Sequence, residues 1–277
     1  MRAILKWRPC NLQLLMFSFN VSLCRGLKHQ AVIFPRRLRT AMSASTASVD
    51  GNTDAPRARV RQHVNPLAAT YQAPITLSES WTGDLFVQPE LKYHLDIGCA
   101  RGGFCMQLAR QNQDMNVLGL EIRRPVAAFC SKRARESGLP NVGFLSLNAN
   151  VDLKRVIQGI NKVPSRLTRI SIQFPDPHFK ARHQKRRVVQ PELIQAIVDH
   201  TDDTCDVFVQ SDILDVAMDM RQQFRDNGAF VDAIDDIDKW MSHNPTGVPT
   251  EREIGVLETG LPVYRTLFQR QKIIKMR

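Results

Sequence analysis

The chain has 277 residues, 43% of them hydrophobic and 23% charged, a balance suited to one or two soluble domains with a sizeable core. Its formal net charge of +11 is uneven: residues 1–49 hold eight Lys or Arg and no Asp or Glu, and the rest hold 30 basic against 27 acidic side chains. Overall basicity therefore does not argue for a polyanionic partner, and only local clusters can. The most apolar run, 12–23, is interrupted by Gln13, Ser18, Asn20 and Ser22, which speaks against a membrane span.

Taken in chain order, 1–49 is rich in Arg, Ser and Leu, with a cluster at Arg36, Arg37 and Arg39. That composition suits an organellar transit peptide, plastid or mitochondrial, with a secretory signal as the competing reading. Initiation at Met42 would discard most of it and leave a cytosolic or nuclear form. Residues 50–57 continue a Ser, Thr and Ala-rich linker, and folded structure is expected from about 58 to 277 as one domain.

Beyond Tyr93, short apolar runs alternate with helical periodicity. Strands are expected at 94–98, 116–122, 142–147, 169–174 and 206–211, with helices at 103–113, on to about 138 after the second strand, at 191–201 and at 213–227. Two closing segments, 229–234 and 262–270, read as edge strands joined by a long excursion through Thr250–Glu253. This order implies an α/β fold, one mainly parallel sheet with helices on both faces, and such sheets bind ligands beyond the carboxyl ends of their strands.

The unusual residues fall at that edge. The turn Asp96-Ile-Gly-Cys-Ala-Arg-Gly-Gly103 lets backbone approach a ligand at a helix start, and Glu121, 25 residues on, ends the next strand where a carboxylate accepts ribose hydroxyls. Asn148-Ala149 ends the third strand and faces an adenine edge in this reading. A nicotinamide dinucleotide and S-adenosylmethionine both fit; Ala100 in place of the middle glycine of GxGxxG favours the methyl donor.

The fourth strand runs into FPDPHFKARHQKRR, 174–187. Pro175 and Pro177 bracket Asp176 and stiffen its loop. Lys180, Arg182, Lys185, Arg186 and Arg187 follow, interleaved with His178, Phe179 and His183, a pattern that suits nucleic acid or a solvated face. The six histidines at 63, 94, 178, 183, 200 and 243 and the cysteines outside the N-terminal segment have no metal-ligand spacing, so no metal is expected and the thiols read as reduced and structural. Trp81 and Trp240 suit either a cofactor mouth or the core.

These motifs resemble the tRNA (guanine-N7)-methyltransferases, class I enzymes with a Rossmann-like, seven-stranded sheet. The resemblance runs from Arg59 to about Arg270 through RVRQHVNP at 59–66, LDIGCARGG from Leu95, LGLEIR from Leu118, Asn148-Ala149, the FPDP segment with its basic run, Ser211-Asp212, and PTEREIGVLETGLPVYRTLF from Pro249. It implies methyl transfer from S-adenosylmethionine to N7 of a variable-loop guanine, position 46 of tRNA. It implies a cofactor site at Asp96, Gly98, Glu121, Ile122, Arg123, Asn148, Ala149 and Gln173, and a catalytic Asp176. It implies substrate contacts at Lys180, Asp212, Thr250, Glu251, Arg252 and Glu253, to which the basic run adds Lys185, Arg186 and Arg187 as phosphate contacts. Guanine N7 is unprotonated, so Asp176 and Glu253 are expected to orient the base and offset its developing charge rather than remove a proton. The PTERE and GLPVYR segments look like those of single-subunit enzymes, so a monomer or homodimer without a WD-repeat subunit is expected.

Overall fold

Seven strands pair into one sheet in the computed structural model, which describes residues 63–163 and 166–271. The expected presequence and linker, 1–57, lie outside the described residues. Helices α1 (Ala69–Gln72) and α2 (Trp81–Leu85) lead into β1 (Lys92–Ile97), α3 (Gly103–Gln111), β2 (Met115–Glu121), α4 (Arg124–Ser137), β3 (Val142–Ser146), α5 (Ala149–Ile160) and β4 (Leu167–Gln173). A 3-10 helix (Ala181–Arg186) precedes α6 (Pro191–His200), β5 (Asp206–Ser211), α7 (Leu214–Asn227), β6 (Phe230–Asp232), α8 (Glu251–Glu258) and β7 (Tyr264–Arg270). The strand order is β3-β2-β1-β4-β5-β7-β6, parallel except for β7, which pairs antiparallel with both neighbours. This is the expected α/β sheet, and the reversal of strand order between the parallel neighbours β1 and β4 opens the ligand crevice at their carboxyl ends.

Strands β1 to β5 are largely buried on both faces, which is why they read as apolar runs. On one face Leu95, Ile97, Leu118, Leu120, Ile170 and Ile172 pack under α5, α6 and α7; on the other, Val117 and Phe144 meet Phe104, Cys105, Leu108 and Cys130 of α3 and α4. Arg169 of β4 and Asp206 of β5 sit in register and close a two-pronged ion pair at 2.6 and 2.7 Å, clamping the pair at its amino end.

Several expectations change. The segment 262–270 is not an edge: β7 lies between β5 and β6, because β6, three residues long, covers its outer side. Helix α5 falls where no helix is expected, although Leu153, Val156, Ile157 and Ile160 recur at helical spacing and Asn148 caps it through Asn150 N at 3.1 Å. Thr250–Glu253 is not loop but the start of α8, Thr250 accepting from Glu253 N at 3.0 Å, the Thr-x-x-Glu signature of a helix start. Trp81 belongs to the core, its indole pressed onto α5 where a Cβ at Gly159 would lie 2.2 Å from Nε1, so only glycine fits. Trp240 takes Arg221 over its ring at 4.8 Å and Tyr264 at its edge.

Arg221 organises the excursion after β6. Fully buried, it binds Asp232 through Nε at 2.5 Å and donates to the carbonyls of Ile234, Asp236, Ile237 and Lys239. With every N–H group it directs there satisfied, the charge fixes the path of 234–240 instead of destabilising the core. Among the described residues, no helix is long and apolar enough to cross a membrane.

Candidate functional site

The first loop at the carboxyl edge departs from regular backbone at Gly98 and Ala100. Gly98 follows β1 with φ +82°, and a Cβ there would meet nothing within 4 Å, so the turn presents open space in front of bare backbone. Ala100 adopts φ +48°, in the left-handed region that side chains other than glycine rarely take. Its carbonyl accepts from Cys130 Sγ at 3.2 Å. Beneath the turn lie the free, buried thiols of Cys99, Cys105 and Cys130; burial pushes the Cys105 thiol up to about 11.

Asp96 is the second-last residue of β1 and faces inward. It accepts from Ser171 Oγ at 2.6 Å, Gln173 Nε2 at 3.1 Å and Cys105 Sγ at 3.5 Å, and burial raises its carboxyl above the ordinary range. Ser171 spends its proton on Asp96, so it accepts from Nε2 of His94 at 2.8 Å, and His94 is neutral with its proton on Nε2. Burial, helped by Arg169, holds His94 down at about 3.

This polar line continues across the sheet. Gln210 of β5 donates through Nε2 to Gln173 Oε1 at 2.9 Å and to Glu253 Oε2 at 3.0 Å, and Glu253 also accepts from Asn244 Nδ2 at 2.8 Å and Arg265 Nη2 at 3.0 Å. Alternation along the strands puts His94, Asp96, Ser171, Gln173, Gln210 and Arg265 on one face, so α8 is tied through Glu253 to β1, the strand that leads into the Gly98 turn. Glu253 is therefore buried and takes three protein donors, which hold α8 in place.

Glu121 ends β2, is buried, and receives Arg123 at three points: backbone N and Nε to Oε1 and Nη2 to Oε2, each at 2.9 Å. Ile122 between them is half-buried. Asn148 lies beyond β3 with Ala149 as the first residue of α5, but its Nδ2 donates to the carbonyls of Pro66 and Tyr71, at 3.2 Å each. The amide expected to read adenine thus anchors the chain segment around α1. That segment is also held at Ile75, whose N–H points at both oxygens of Asp152, at 3.2 and 3.3 Å.

Asp176 stands on the loop after β4, half-exposed, between Phe174 at φ +49° and His178 at φ +45°. Its Oδ1 lies 2.8 Å from Nδ1 of His63, and its charge is felt by Arg123, so the loops after β2 and β4 share one electrostatic field. Partial burial lowers the His178 imidazole below its ordinary range; Asp176 opposes this shift, while Arg186 and His183 add to it.

The basic run divides in space. Lys180, Arg182 and Lys185 are exposed. Arg186 is half-buried. Arg187 is buried and turns inward, its Nε on the carbonyl of Pro177 at 2.9 Å and Nη1 on Asp219 Oδ2 at 2.9 Å, which removes it from the expected phosphate contacts. Asp212 and Arg252 pair with each other. Glu251 rests against the first residue of α3, where a Cβ on Gly103 would be 2.8 Å from its Oε1. Among the described residues, no group of three or more His, Cys, Asp or Glu is gathered to hold a metal ion. His63 escaped the sequence reading because its partner lies 113 residues away.

Residues fitted to an adenosyl cofactor are thus present together: a bare-backbone turn at Gly98, an acidic strand end at Glu121 and the start of α5 at Ala149. A family model described as "Putative methyltransferase" matches residues 90–266. The tRNA (guanine-N(7)-)-methyltransferase of Synechocystis sp. is 45% identical over 214 residues, covering 77% of this chain and 98% of its own length. The enzyme of the same name from Synechococcus elongatus is 46% identical over 215 residues, covering 78% and 98%. Among solved structures, the aminoglycoside resistance methyltransferase NpmB1 is similar over 71% of this chain and 95% of its own, at 14% identity and a TM-score of 0.48. Matched over most of its own length and nearly all of theirs, the chain belongs to the tRNA (guanine-N7)-methyltransferase family.

Proposed function

We propose that this protein methylates N7 of a guanine in tRNA, the variable-loop guanine at position 46, using S-adenosylmethionine. The observation that carries the reading is the convergence of the Gly98 turn, Glu121 and Asp176 at the carboxyl ends of β1, β2 and β4, with the exposed cations Lys180, Arg182 and Lys185 beside them. Glu121 and the backbone of the Gly98 turn hold the cofactor, which supplies an electrophilic methyl group on a positively charged sulfur.

The chain's own task is positioning. Guanine N7 carries a lone pair and no proton, so no general base is needed. Asp176, on a loop stiffened by two prolines, accepts from guanine N–H donors and offsets the positive charge that grows on the ring. The base must leave its stack to reach this edge, which costs least in a loop of the RNA. Exposed cations hold phosphates and set the register of the tRNA without reading its sequence.

Mass spectrometry of nuclease fragments of unmodified tRNA, incubated with S-adenosylmethionine and the purified chain alone, tests this reading. Formation of 7-methylguanosine in the variable loop supports it and dispenses with a WD-repeat subunit; methylation elsewhere, or none, overturns it. We further propose that residues 1–49 direct the protein to a plastid or mitochondrion, because they carry eight basic and no acidic residues. A reporter fused to 1–55 that stays cytosolic rejects that assignment.

A further inference from the structure

His63 precedes the sheet by almost thirty residues in the chain, yet its imidazole reaches the loop after β4, Nδ1 lying 2.8 Å from Asp176 Oδ1. An ionised carboxylate only accepts, so Nδ1 carries the proton in this contact. Among the described residues, this is the one hydrogen bond to the Asp176 carboxylate, and Oδ2 takes none. A histidine 58% exposed would ordinarily lose such a contact to water and to rotamer freedom. Here the backbone that delivers it is fixed three residues later: Asn148 Nδ2 holds the Pro66 carbonyl at 3.2 Å and Gln72 Nε2 holds the same oxygen at 2.7 Å. A further anchor, Asp152 on Ile75 N, pins the far end of the strap on α5. The ordering cost of the segment is thus met by contacts away from Asp176.

The consequence is geometric. A carboxylate at the tip of a loop rotates about χ2 between equivalent orientations, and a donor fixed on one oxygen selects the plane in which the other is presented. We propose that His63 is a positioning residue for Asp176: it holds Oδ1 and turns Oδ2 toward the guanine N–H donors. This rests on Asp176 being the acid that faces guanine. It extends the site to a segment outside the sheet, and it gives His63 a task in the reaction.

Single-turnover methylation of tRNA, run alongside equilibrium binding of S-adenosylmethionine and of tRNA, tests the inference with four proteins: His63→Ala, His63→Asn, Asp176→Asn and the double variant His63→Ala with Asp176→Asn. Loss of one hydrogen bond to a carboxylate should slow the methyl-transfer step roughly threefold to thirtyfold in His63→Ala, with both affinities and the melting temperature unchanged. Asparagine places an amide N–H where Nδ1–H stands, so His63→Asn should recover most of the rate. With Asp176 already replaced, removing His63 should cost nothing further. A wild-type rate in His63→Ala while Asp176→Asn is slow overturns the inference and leaves the reading of Asp176 intact; so does a loss confined to affinity, or one equally large in both backgrounds. A wild-type rate in Asp176→Asn overturns that reading, and the inference falls with it.

Discussion

Arg123 closes a fork on Glu121, with Nε on one carboxylate oxygen and Nη2 on the other at 2.9 Å each, while its own backbone N–H binds the first oxygen again. Two residues apart, they turn the chain from β2 into α4 and hold a carboxylate at the strand end in one plane. The guanidinium neutralises the buried acid without filling every lone pair, so the carboxylate remains an acceptor for ribose hydroxyls.

Glu121→Ala should therefore weaken S-adenosylmethionine binding roughly tenfold to a hundredfold, the value of hydrogen bonds accepted by a charged group. Arg123→Ala should weaken it less, because the acid survives and only its orientation is lost. Tight binding of tRNA should persist in both. Isothermal titration giving wild-type cofactor affinity for Glu121→Ala would remove this residue from the site.

Asn148 makes a different prediction from the one its sequence position suggests. With Nδ2 donated to Pro66 and Tyr71, replacing it by Ala frees the strap and also removes the cap of α5, together worth about 1–2 kcal/mol. Limited proteolysis should then cut near residues 63–72 at protease concentrations that leave the parent chain whole. Equal resistance of the two proteins would show that other contacts hold the segment.

His94 sets an acid limb of stability. Its folded value of about 3 lies below the ordinary 6.5, so at intermediate pH the unfolded chain binds the extra proton. Stability from this group is complete above about 6.5 and is lost as pH falls toward 3, amounting to about 2 kcal/mol between pH 7.5 and pH 5. His94→Gln retains a donor for Ser171 and cannot titrate. Urea unfolding at the two pH values should show the parent losing about 2 kcal/mol more than the variant; parallel losses would assign the acid sensitivity to other groups.

What the sequence makes legible follows from where each signal is local. Strands β1 to β5 announce themselves because both faces are buried, and the glycine turn and the Pro-Asp-Pro loop because their backbone demands are written in adjacent residues. The polar face is concealed for the opposite reason: Ser171, Gln173 and Gln210 sit among apolar neighbours, and only strand register shows that they form one line ending at Glu253. Helix α5 has its cap and periodicity in plain view, but Asn148 has two meanings, helix start and ligand contact, and the second obscures the first. Glu253 is likewise the fourth residue of a capping signature before it is a candidate for chemistry. His63 stands in the RVRQHVNP motif, but nothing local pairs it with Asp176, 113 residues away.

Lys185 and Arg187 are the sharpest instance of a difference no composition reveals, and they carry the last prediction. Lys185 is exposed on the 3-10 helix, whereas Arg187, two residues on, is buried against the Pro177 carbonyl and Asp219. Each phosphate contact contributes about 0.7 to 0.9 to the slope of log affinity against log salt, so replacing Lys180, Arg182 and Lys185 together by Ala should flatten the tRNA slope by about 2 to 2.7. Affinity should fall alike for all tRNAs, since such contacts position and do not specify. Arg187→Ala should behave otherwise. It leaves Asp219 and the Pro177 carbonyl without their partner, which costs about 1–3 kcal/mol of stability and loosens the loop that carries Asp176. Its salt slope should match the parent while its melting temperature and methylation rate fall. A salt series on both proteins, with thermal unfolding beside it, separates the roles: a flattened slope in Arg187→Ala at unchanged stability would make that side chain a phosphate contact, and a parental slope in the triple variant would make the outer cations ordinary solvated surface.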